Sequence, residues 1–249
     1  MSSAEMESGV WNMDPTLLSV IVGVFVIVAT ILVVVLKRCF TSKSDTILFV
    51  GLNGCGKTVL FSRLISEDNS VNTYTSMVAN EYTGYLTSSG AALRLIDFPG
   101  AERLRKQLFA NVCHSQKGTL RGIVMVVDSS TFGKQARDVA ELLYDVLYET
   151  GKSVPVLVAC NKQDLALSKS DLAIKGALER EIGLINSSRE ASLQTTDGSD
   201  LRRVLTDSGN EFSWDELPKT RIEFAECTAQ SEEQGESNLS AVIEWIDKI

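Results

Sequence analysis

The stretch GLNGCGKT at residues 51–58 fits the pattern G-x-x-x-x-G-K-[ST] and directly follows the apolar run ILFV at residues 47–50. Glycines allow the backbone to curve so that its N–H groups point at phosphate oxygens, and side chains at those positions would block the anion. The lysine can reach the β and γ phosphates, and the final hydroxyl can ligate Mg²⁺, which prefers hard oxygen donors. The pattern therefore predicts a nucleotide phosphate site with Thr58 as a magnesium ligand. Its members are Gly51, Leu52, Asn53, Gly54, Cys55, Gly56, Lys57 and Thr58.

The composition and net charge argue against several classes of protein. The chain has 249 residues, of which 44% are hydrophobic and 22% are charged, as in an ordinary globular protein. A net charge of −8 and the lack of any basic run longer than two residues argue against direct nucleic acid binding, which depends on clustered Lys and Arg. Five scattered cysteines and a single histidine argue against a disulfide framework, a zinc site and a Ser-His-Asp triad. The cysteines are expected to be reduced thiols in the cytosol.

Residues 17–36 form an apolar segment of twenty residues without a charge or a proline, dominated by Val, Ile and Leu. A helix of that length spans a hydrocarbon core of about 30 Å, whereas a buried core helix would normally be shorter and carry a polar face. Acidic residues precede the segment and Lys37, Arg38 and Lys43 follow it, so a cleaved signal peptide fits worse. The positive-inside rule therefore predicts a single-pass span, with residues 1–16 in the lumen and a cytosolic linker at residues 37–45.

From residue 46 onward, short β-branched runs alternate with longer helical stretches, which is typical of a parallel α/β sheet. The link at residues 88–90 is too short for a crossover helix, so the second and third strands should form an antiparallel hairpin. The sequence predicts an α/β P-loop domain at residues 46–249, with a six-stranded, mostly parallel sheet and helices on both faces. The predicted strands are residues 46–51, 81–87, 91–96, 122–128, 154–159 and 221–226, and the predicted helices are residues 57–66, 102–115, 132–150, 170–185 and 238–249.

Residues 186–218 are rich in Ser, Thr, Asp and Gly and lack a sustained apolar period. A segment of that kind predicts a flexible insertion loop on the globular domain. It could bind a partner or simply be solvated, and its polar composition favours the second alternative.

The segment DFPG at residues 97–100 follows the predicted strand at residues 91–96 and matches D-x-x-G. In that motif the aspartate holds magnesium through water, and the glycine N–H senses the γ phosphate. Asp-x-x-Gly turns are common, but this one ends the next long apolar strand after the phosphate loop. Asp97 is therefore a predicted magnesium ligand, and Gly100 is a predicted phosphate contact.

The segment NKQD at residues 161–164 follows an apolar strand and matches N-K-x-D. The aspartate can accept hydrogen bonds from the guanine N1–H and exocyclic amine, a donor pair that adenine lacks, while the lysine stem covers the base. An unpaired buried carboxylate costs on the order of several kcal/mol, which selects guanine. The segment ECTA at residues 226–229 follows the last strand, where small residues let backbone N–H groups approach guanine O6. The predicted guanine-binding residues are Asn161, Lys162, Asp164, Cys227, Thr228 and Ala229.

These four segments, in this order and spacing, resemble those of the Ras-like GTPases, and the span placed before such a domain resembles the β subunit family of the signal recognition particle receptor. The match covers almost the whole chain and includes Glu102, the long helix beginning near Phe132, the Ser-rich insertion and FSWDELP at residues 212–218. The resemblance implies a Ras-like G domain that binds GTP or GDP with Mg²⁺. It implies a subunit anchored in the endoplasmic reticulum membrane that holds a peripheral α subunit, itself a GTPase, in a GTP-dependent way for co-translational protein targeting. The ribosome or the translocon would be further candidate partners.

By the same resemblance, TYTS at residues 73–76 is the first switch segment. Thr75 would be the magnesium ligand whose hydroxyl reaches the ion only when the γ phosphate is present, with Thr73 as the alternative. Ala101 stands where Ras-like enzymes carry the glutamine that orients the attacking water. Since alanine cannot hold a water and the negative charge of Glu102 would repel phosphates, hydrolysis is expected to be slow or to depend on a partner. The receptor β family shares this departure.

Two other functions stay open. An Arf-like or Sar-like GTPase that regulates membrane traffic through hydrolysis cycles would carry the same motifs, but such proteins usually reach the membrane through a myristoyl group or an amphipathic helix. This chain lacks the Met-Gly start, and a permanent span argues against a soluble cycle. A degenerate P-loop scaffold is disfavoured by the intact Lys57, Thr58, Asp97 and Asp164.

Overall fold

The chain divides into two units, Met1–Lys43 and Ser44–Ile249. A computed structural model describes residues 23–30, 32, 44–66, 78–110, 118–151, 154–193, 205, 212–217, 222–230 and 237–249. In the first unit the described residues are helical. Within the described ranges, no helix combines the length and the apolar character needed to cross a membrane. Most of the predicted span at residues 17–36 lies outside those ranges, as does the linker up to residue 43.

The second unit is built on a six-stranded sheet in the order β2-β3-β1-β4-β5-β6. The strands are β1 (Thr46–Val50), β2 (Asn80–Leu86), β3 (Ala92–Asp97), β4 (Leu120–Asp128), β5 (Val156–Asn161) and β6 (Ile222–Glu226). All neighbouring strands are parallel except β2 and β3, which form an antiparallel hairpin. The predicted six-stranded, mostly parallel sheet with one inverted edge strand is therefore confirmed.

Helices cover both faces of this sheet, as predicted. They are α1 (Lys57–Ile65), α2 (Arg105–Gln107), α3 (Phe132–Thr150), α4 (Asp171–Leu193) and α5 (Ser240–Lys248). Alternate residues of β1 point to opposite faces, so Leu48 packs in the cluster under α3 and α4, and Phe49 packs in the cluster under α1 and α5. Burial on both faces explains why β1 reads as an uninterrupted apolar run.

The helix predicted at residues 170–185 extends further than expected. It begins at Asp171 and continues to Leu193, so the predicted insertion boundary at residue 186 is wrong. Asn186 is buried on this helix, where its Oδ1 accepts hydrogen bonds from the Tyr144 hydroxyl at 3.0 Å and from the Leu205 N–H at 3.0 Å. A polar residue therefore belongs to the core here because its side chain has partners on α3 and on residue 205.

The segment at residues 212–217 is also packed against the domain rather than solvated. It contains a 3₁₀ turn at Trp214–Glu216, and the buried Trp214 ring lies edge-on to Phe212 at 5.1 Å and to Phe224 of β6 at 5.4 Å. The Trp214 indole N–H donates to the Lys175 carbonyl of α4 at 3.1 Å. Three apolar residues among many polar ones produce no periodic signal, so the hydrophobic pattern of the sequence did not predict that this segment packs on the domain. Residues 194–204, 206–211 and 218–221 lie outside the described ranges.

The helix predicted at residues 102–115 is described only up to residue 110. It starts as a 3₁₀ turn at Glu102–Leu104 and passes into the single turn α2. Its remainder, like the first switch segment with Thr73 and Thr75, lies outside the described residues.

Substituting Trp214 by alanine is expected to destabilise the domain by about 3–5 kcal/mol, because a buried indole and its hydrogen bond are lost together. Urea denaturation of the purified chain measures this change. The matched control is Leu167→Ala, a residue that is 82% exposed, which should change the free energy of unfolding by less than about 0.5 kcal/mol. Equal effects of the two substitutions would show that residues 212–217 do not pack as described.

Candidate nucleotide-binding site

The phosphate loop connects the carboxyl end of β1 to α1, as its sequence predicts. The Lys57 side chain is buried, and its Nζ donates to the Leu52 carbonyl at 2.8 Å across the loop. Asn53 and Gly54 are exposed at the loop tip. Gly56 caps α1 at a φ of 91°, and a Cβ there would lie 2.4 Å from the Asn161 amide nitrogen. The loop conformation thus requires glycine at residue 56 for both backbone and steric reasons.

The segment at residues 97–100 lies against the phosphate loop. The Phe98 N–H donates to the Phe49 carbonyl at 3.1 Å, which extends the pairing of β1 and β3. A Cβ on Gly100 would meet the Gly51 carbonyl oxygen at 2.6 Å and the Lys57 Nζ at 2.7 Å. The two predicted phosphate-contacting segments are therefore brought together, and only glycine permits this approach.

Asp97 ends β3 and faces Thr58 at the start of α1. The Thr58 hydroxyl donates to Asp97 Oδ2 at 2.8 Å, and the Asn80 amide donates to the same oxygen at 3.1 Å. Burial raises the pKa of the Asp97 carboxyl, although the two hydrogen bonds and the charge of Lys57 act in the opposite direction. Asp97 Oδ1 is buried without a hydrogen-bond partner among the described residues. A hard cation would satisfy this oxygen, so the residues present fit the predicted magnesium site.

A cavity of about 300 Å³ opens next to the phosphate loop, at the carboxyl ends of β5 and β6. That volume is at the lower end of the range for small-molecule sites. It is lined by Gly56, Val59, Asn161, Lys162, Asp164, Leu165, Ala229 and Gln230. The predicted base-reading residues Lys162 and Asp164 therefore share one cavity, which borders the phosphate loop at Gly56.

Asn161 joins three loops of the site. Its side chain is 1% exposed, and its Nδ2 donates to the Cys55 carbonyl of the phosphate loop at 2.9 Å. Its Oδ1 accepts the Ala229 N–H from the loop after β6, also at 2.9 Å. Both ends of the predicted guanine-binding amide thus have partners in the protein. The residue holds the walls of the cavity together.

The loop after β6 uses its backbone N–H groups within the protein. Cys227 N–H donates to the Cys160 carbonyl at 2.9 Å, and Thr228 N–H donates to the Asn238 carbonyl at 3.0 Å. Of the predicted trio Cys227, Thr228 and Ala229, the last is the one that lines the cavity. Cys227 and Thr228 consequently stabilise the loop through backbone hydrogen bonds and do not line the cavity.

Three cysteines lie close to the site as free, buried thiols: Cys55, Cys160 and Cys227. Burial raises the pKa of each thiol, that of Cys227 to about 12. They are accordingly protonated at neutral pH, and in the described residues they form no disulfide.

Two polar residues at this edge of the sheet were not predicted. Asn80 contacts Asp97 because the β2–β3 hairpin pairs the two residues, but a register shift at Thr83/Tyr85 hides that pairing from the sequence. Asp128 ends β4 and accepts a hydrogen bond from Lys162 Nζ at 2.6 Å. The signal for Asp128 was available, since the carboxyl ends of parallel strands meet at one edge and an acidic residue follows the apolar run of β4.

Replacing Asn161 by alanine should destabilise the domain by about 2–4 kcal/mol, because it leaves the buried Cys55 carbonyl and Ala229 N–H unpaired. Chemical denaturation without nucleotide measures the effect. Asn53→Ala removes an exposed amide from the same region and is expected to change stability by less than about 0.5 kcal/mol. A comparably small loss for Asn161→Ala would contradict the proposed linkage of the loops.

Comparison with known proteins identifies relatives along most of the chain. The family model described as signal recognition particle receptor beta subunit matches residues 42–221. The rat signal recognition particle receptor subunit beta is 38% identical over 245 residues, which cover 95% of this chain and 88% of that protein. The corresponding Saccharomyces cerevisiae protein is 29% identical over 216 residues, covering 83% and 85%.

Solved structures also include a relative from the signal recognition particle receptor. The structure of the mammalian SRP receptor is 35% identical with a TM-score of 0.68, covering 82% of this chain and 98% of that one. SRb-GDP from Chaetomium thermophilum is 22% identical with a TM-score of 0.62, covering 84% and 99%, and shares the fold. This chain has the α/β fold of the small GTPases and belongs to the signal recognition particle receptor beta subunit family.

Proposed function

We propose that this chain binds GTP with magnesium and, in that state, holds the α subunit of a signal recognition particle receptor at the endoplasmic reticulum membrane for co-translational protein targeting. The observation that carries the proposal is the meeting of three parts at one edge of the sheet. These are the phosphate loop with Lys57, the magnesium-site carboxylate Asp97, and the cavity lined by Lys162 and Asp164.

The arrangement suits a guanine nucleotide with its base in the cavity and its phosphates along the loop, since the two features share Gly56. Asp164 supplies the acceptor for the guanine N1–H and amine, and the Lys162 stem covers the base. Thr58 and Asp97, together with Thr75, would hold the magnesium ion, which neutralises phosphate charge when bound. Lys57 exchanges its bond to the Leu52 carbonyl for one to a phosphate oxygen.

Hydrolysis is proposed to be slow without help. Ala101 offers only a methyl group and its backbone, and its carbonyl already accepts the Leu104 N–H at 2.9 Å. Glu102 beside it is exposed and carries a negative charge. The methyl group of Ala101 cannot hydrogen-bond a water as a glutamine does, and the negative charge of Glu102 would repel the phosphates. A protein that keeps GTP for a long time is suited to assembly rather than to rapid cycling.

The proposal of an α partner is supported by the relatives. One solved relative from Chaetomium thermophilum is an SRb-GTP/SRX complex, whereas two others are SRb-GDP and SRb-GDP-Mg. GTP would favour the state with affinity for the partner, as in other two-state switches. Anchoring is proposed to come from residues 17–36, an apolar run long enough to span a bilayer.

The role of Asp164 is tested by Asp164→Asn, which is expected to speed GDP release at least about tenfold because a charged acceptor for two guanine donors is lost. Fluorescent GDP displaced by excess unlabelled GDP reports the rate. Asp215→Asn, at an exposed carboxylate on the 3₁₀ turn, serves as the control and should release GDP at the unmodified rate. Unchanged release from Asp164→Asn would rule out its assigned contact.

The assembly function is tested by capturing the α subunit on the full chain in detergent, loaded with GTP, loaded with GDP or stripped of nucleotide. We expect strong capture with GTP and at least about tenfold weaker capture in the other two states, the usual size of such a coupling. Equal capture in all three states would refute GTP-dependent assembly.

Single-turnover hydrolysis, measured with and without the α subunit, separates this function from an Arf-like or Sar-like cycle. The proposal predicts slow release of phosphate by the chain alone. Fast intrinsic hydrolysis, or a large acceleration by a simple activating protein, would favour the trafficking GTPase instead.

A further inference from the structure

A second carboxylate stands beside the base cavity. Asp128, the last residue of β4, is 8% exposed, and its Oδ2 accepts a hydrogen bond from Lys162 Nζ at 2.6 Å. Lys162 lines the cavity, whereas Asp128 is absent from its lining. The hydrogen bond to Lys162 therefore links the Asp128 side chain directly to a residue of the cavity lining.

The other oxygen of Asp128 is fully engaged. Its Oδ1 accepts the Ser130 N–H at 3.0 Å, the Ser130 hydroxyl at 2.6 Å and the Thr131 N–H at 3.2 Å. Burial alone would raise the pKa of this carboxyl, but the bonds from Lys162, Ser130 and Thr131 outweigh it and hold the pKa below its ordinary value. Asp128 is accordingly a fixed negative charge, oriented by the turn that follows β4.

Lys162 is held at its backbone as well. Its φ of 67° is the single positive value among the described non-glycine residues. The turn is secured because the Lys162 carbonyl accepts the Leu165 N–H at 3.2 Å and a short hydrogen bond from the Ser168 hydroxyl. The backbone and the ammonium of this lysine are thus both fixed, and the apolar stem between them has little freedom left.

A free lysine side chain has many rotamers, and ordering them on binding weakens affinity. We propose that Asp128 is a positioning residue of the base site, which fixes the Lys162 ammonium so that the lysine stem is already in place as the wall that covers the base. This inference rests on the proposed guanine nucleotide binding. It adds Asp128 to the residues that determine nucleotide affinity, although Asp128 does not line the cavity.

The test is a double-mutant cycle on the full chain, with fluorescent GDP release as the readout. Asp128→Asn and Lys162→Met are each expected to speed release about tenfold, because a charge-assisted hydrogen bond that orders the stem is lost. In the Lys162→Met background, Asp128→Asn should add less than about a twofold change, since its effect passes through the ammonium. A purely structural role would speed release equally in both backgrounds.

Asp145→Asn is the matched control. The Asp145 carboxylate forms an ion pair with Arg189 at an N–O distance of 2.8 Å, and neither residue lines the cavity. The substitution should leave GDP release unchanged. Ser130→Ala keeps the carboxylate but removes one of its donors, so it should speed release about threefold in the wild-type background and not in the Lys162→Met background. If Asp128→Asn does not fold, the Ser130→Ala cycle applies the same criterion.

The outcomes separate this inference from the function on which it rests. If the unmodified chain does not bind GDP, the proposed function fails. If it binds GDP and either cycle shows additive effects, or Asp128→Asn releases GDP at the unmodified rate, only the positioning role of Asp128 is overturned.

Discussion

The two hydrogen bonds of the Asn161 side chain are the interaction on which the site depends. An amide carries a donor and an acceptor on one rigid plane, so a single buried residue at the end of β5 can bind the phosphate loop through the Cys55 carbonyl and the loop after β6 through the Ala229 N–H. These loops are far apart in sequence. Their relative position sets the distance between the backbone proposed to bind phosphate and the cavity proposed to bind the base. An aspartate would lose the donor, and an aliphatic residue would leave two buried polar groups unpaired.

The same edge of the sheet holds two aspartates whose pKa values are shifted in opposite directions. Asp97 keeps one buried oxygen without a hydrogen-bond partner in the described part of the chain, and burial raises the pKa of its carboxyl. Asp128 has donors on both oxygens, including a lysine ammonium, and its pKa is lowered. An incomplete set of donors suits a carboxylate that receives a cation together with the nucleotide. A complete set suits one that positions a neighbouring side chain. The number of donors around each group therefore distinguishes two roles that the residue type alone cannot.

Much of the fold could be predicted from the sequence because its motifs lie at strand ends and its core strands are uninterrupted apolar runs. The phosphate loop, Asp97 and the NKQD segment all lie where their patterns indicated. The errors have physical causes. Helix α4 extends to Leu193 because the polar Asn186 finds partners in the core, and Trp214 packs on α4 from a segment whose composition looks solvated. The contact between Asn80 and Asp97 depends on the register of the β2–β3 hairpin, which shifts between Thr83 and Tyr85. Such contacts depend on tertiary pairing, which local periodicity does not encode.

These loops are proposed to form one site for a guanine nucleotide. Calorimetric titration of the nucleotide-free full chain with GDP and with ADP, both in the presence of Mg²⁺, tests it most directly. We expect GDP to bind at least about a hundredfold more tightly than ADP, because adenine would leave the Asp164 carboxylate without the two guanine donors. Equal affinity for the two nucleotides, or no binding of GDP, would contradict it.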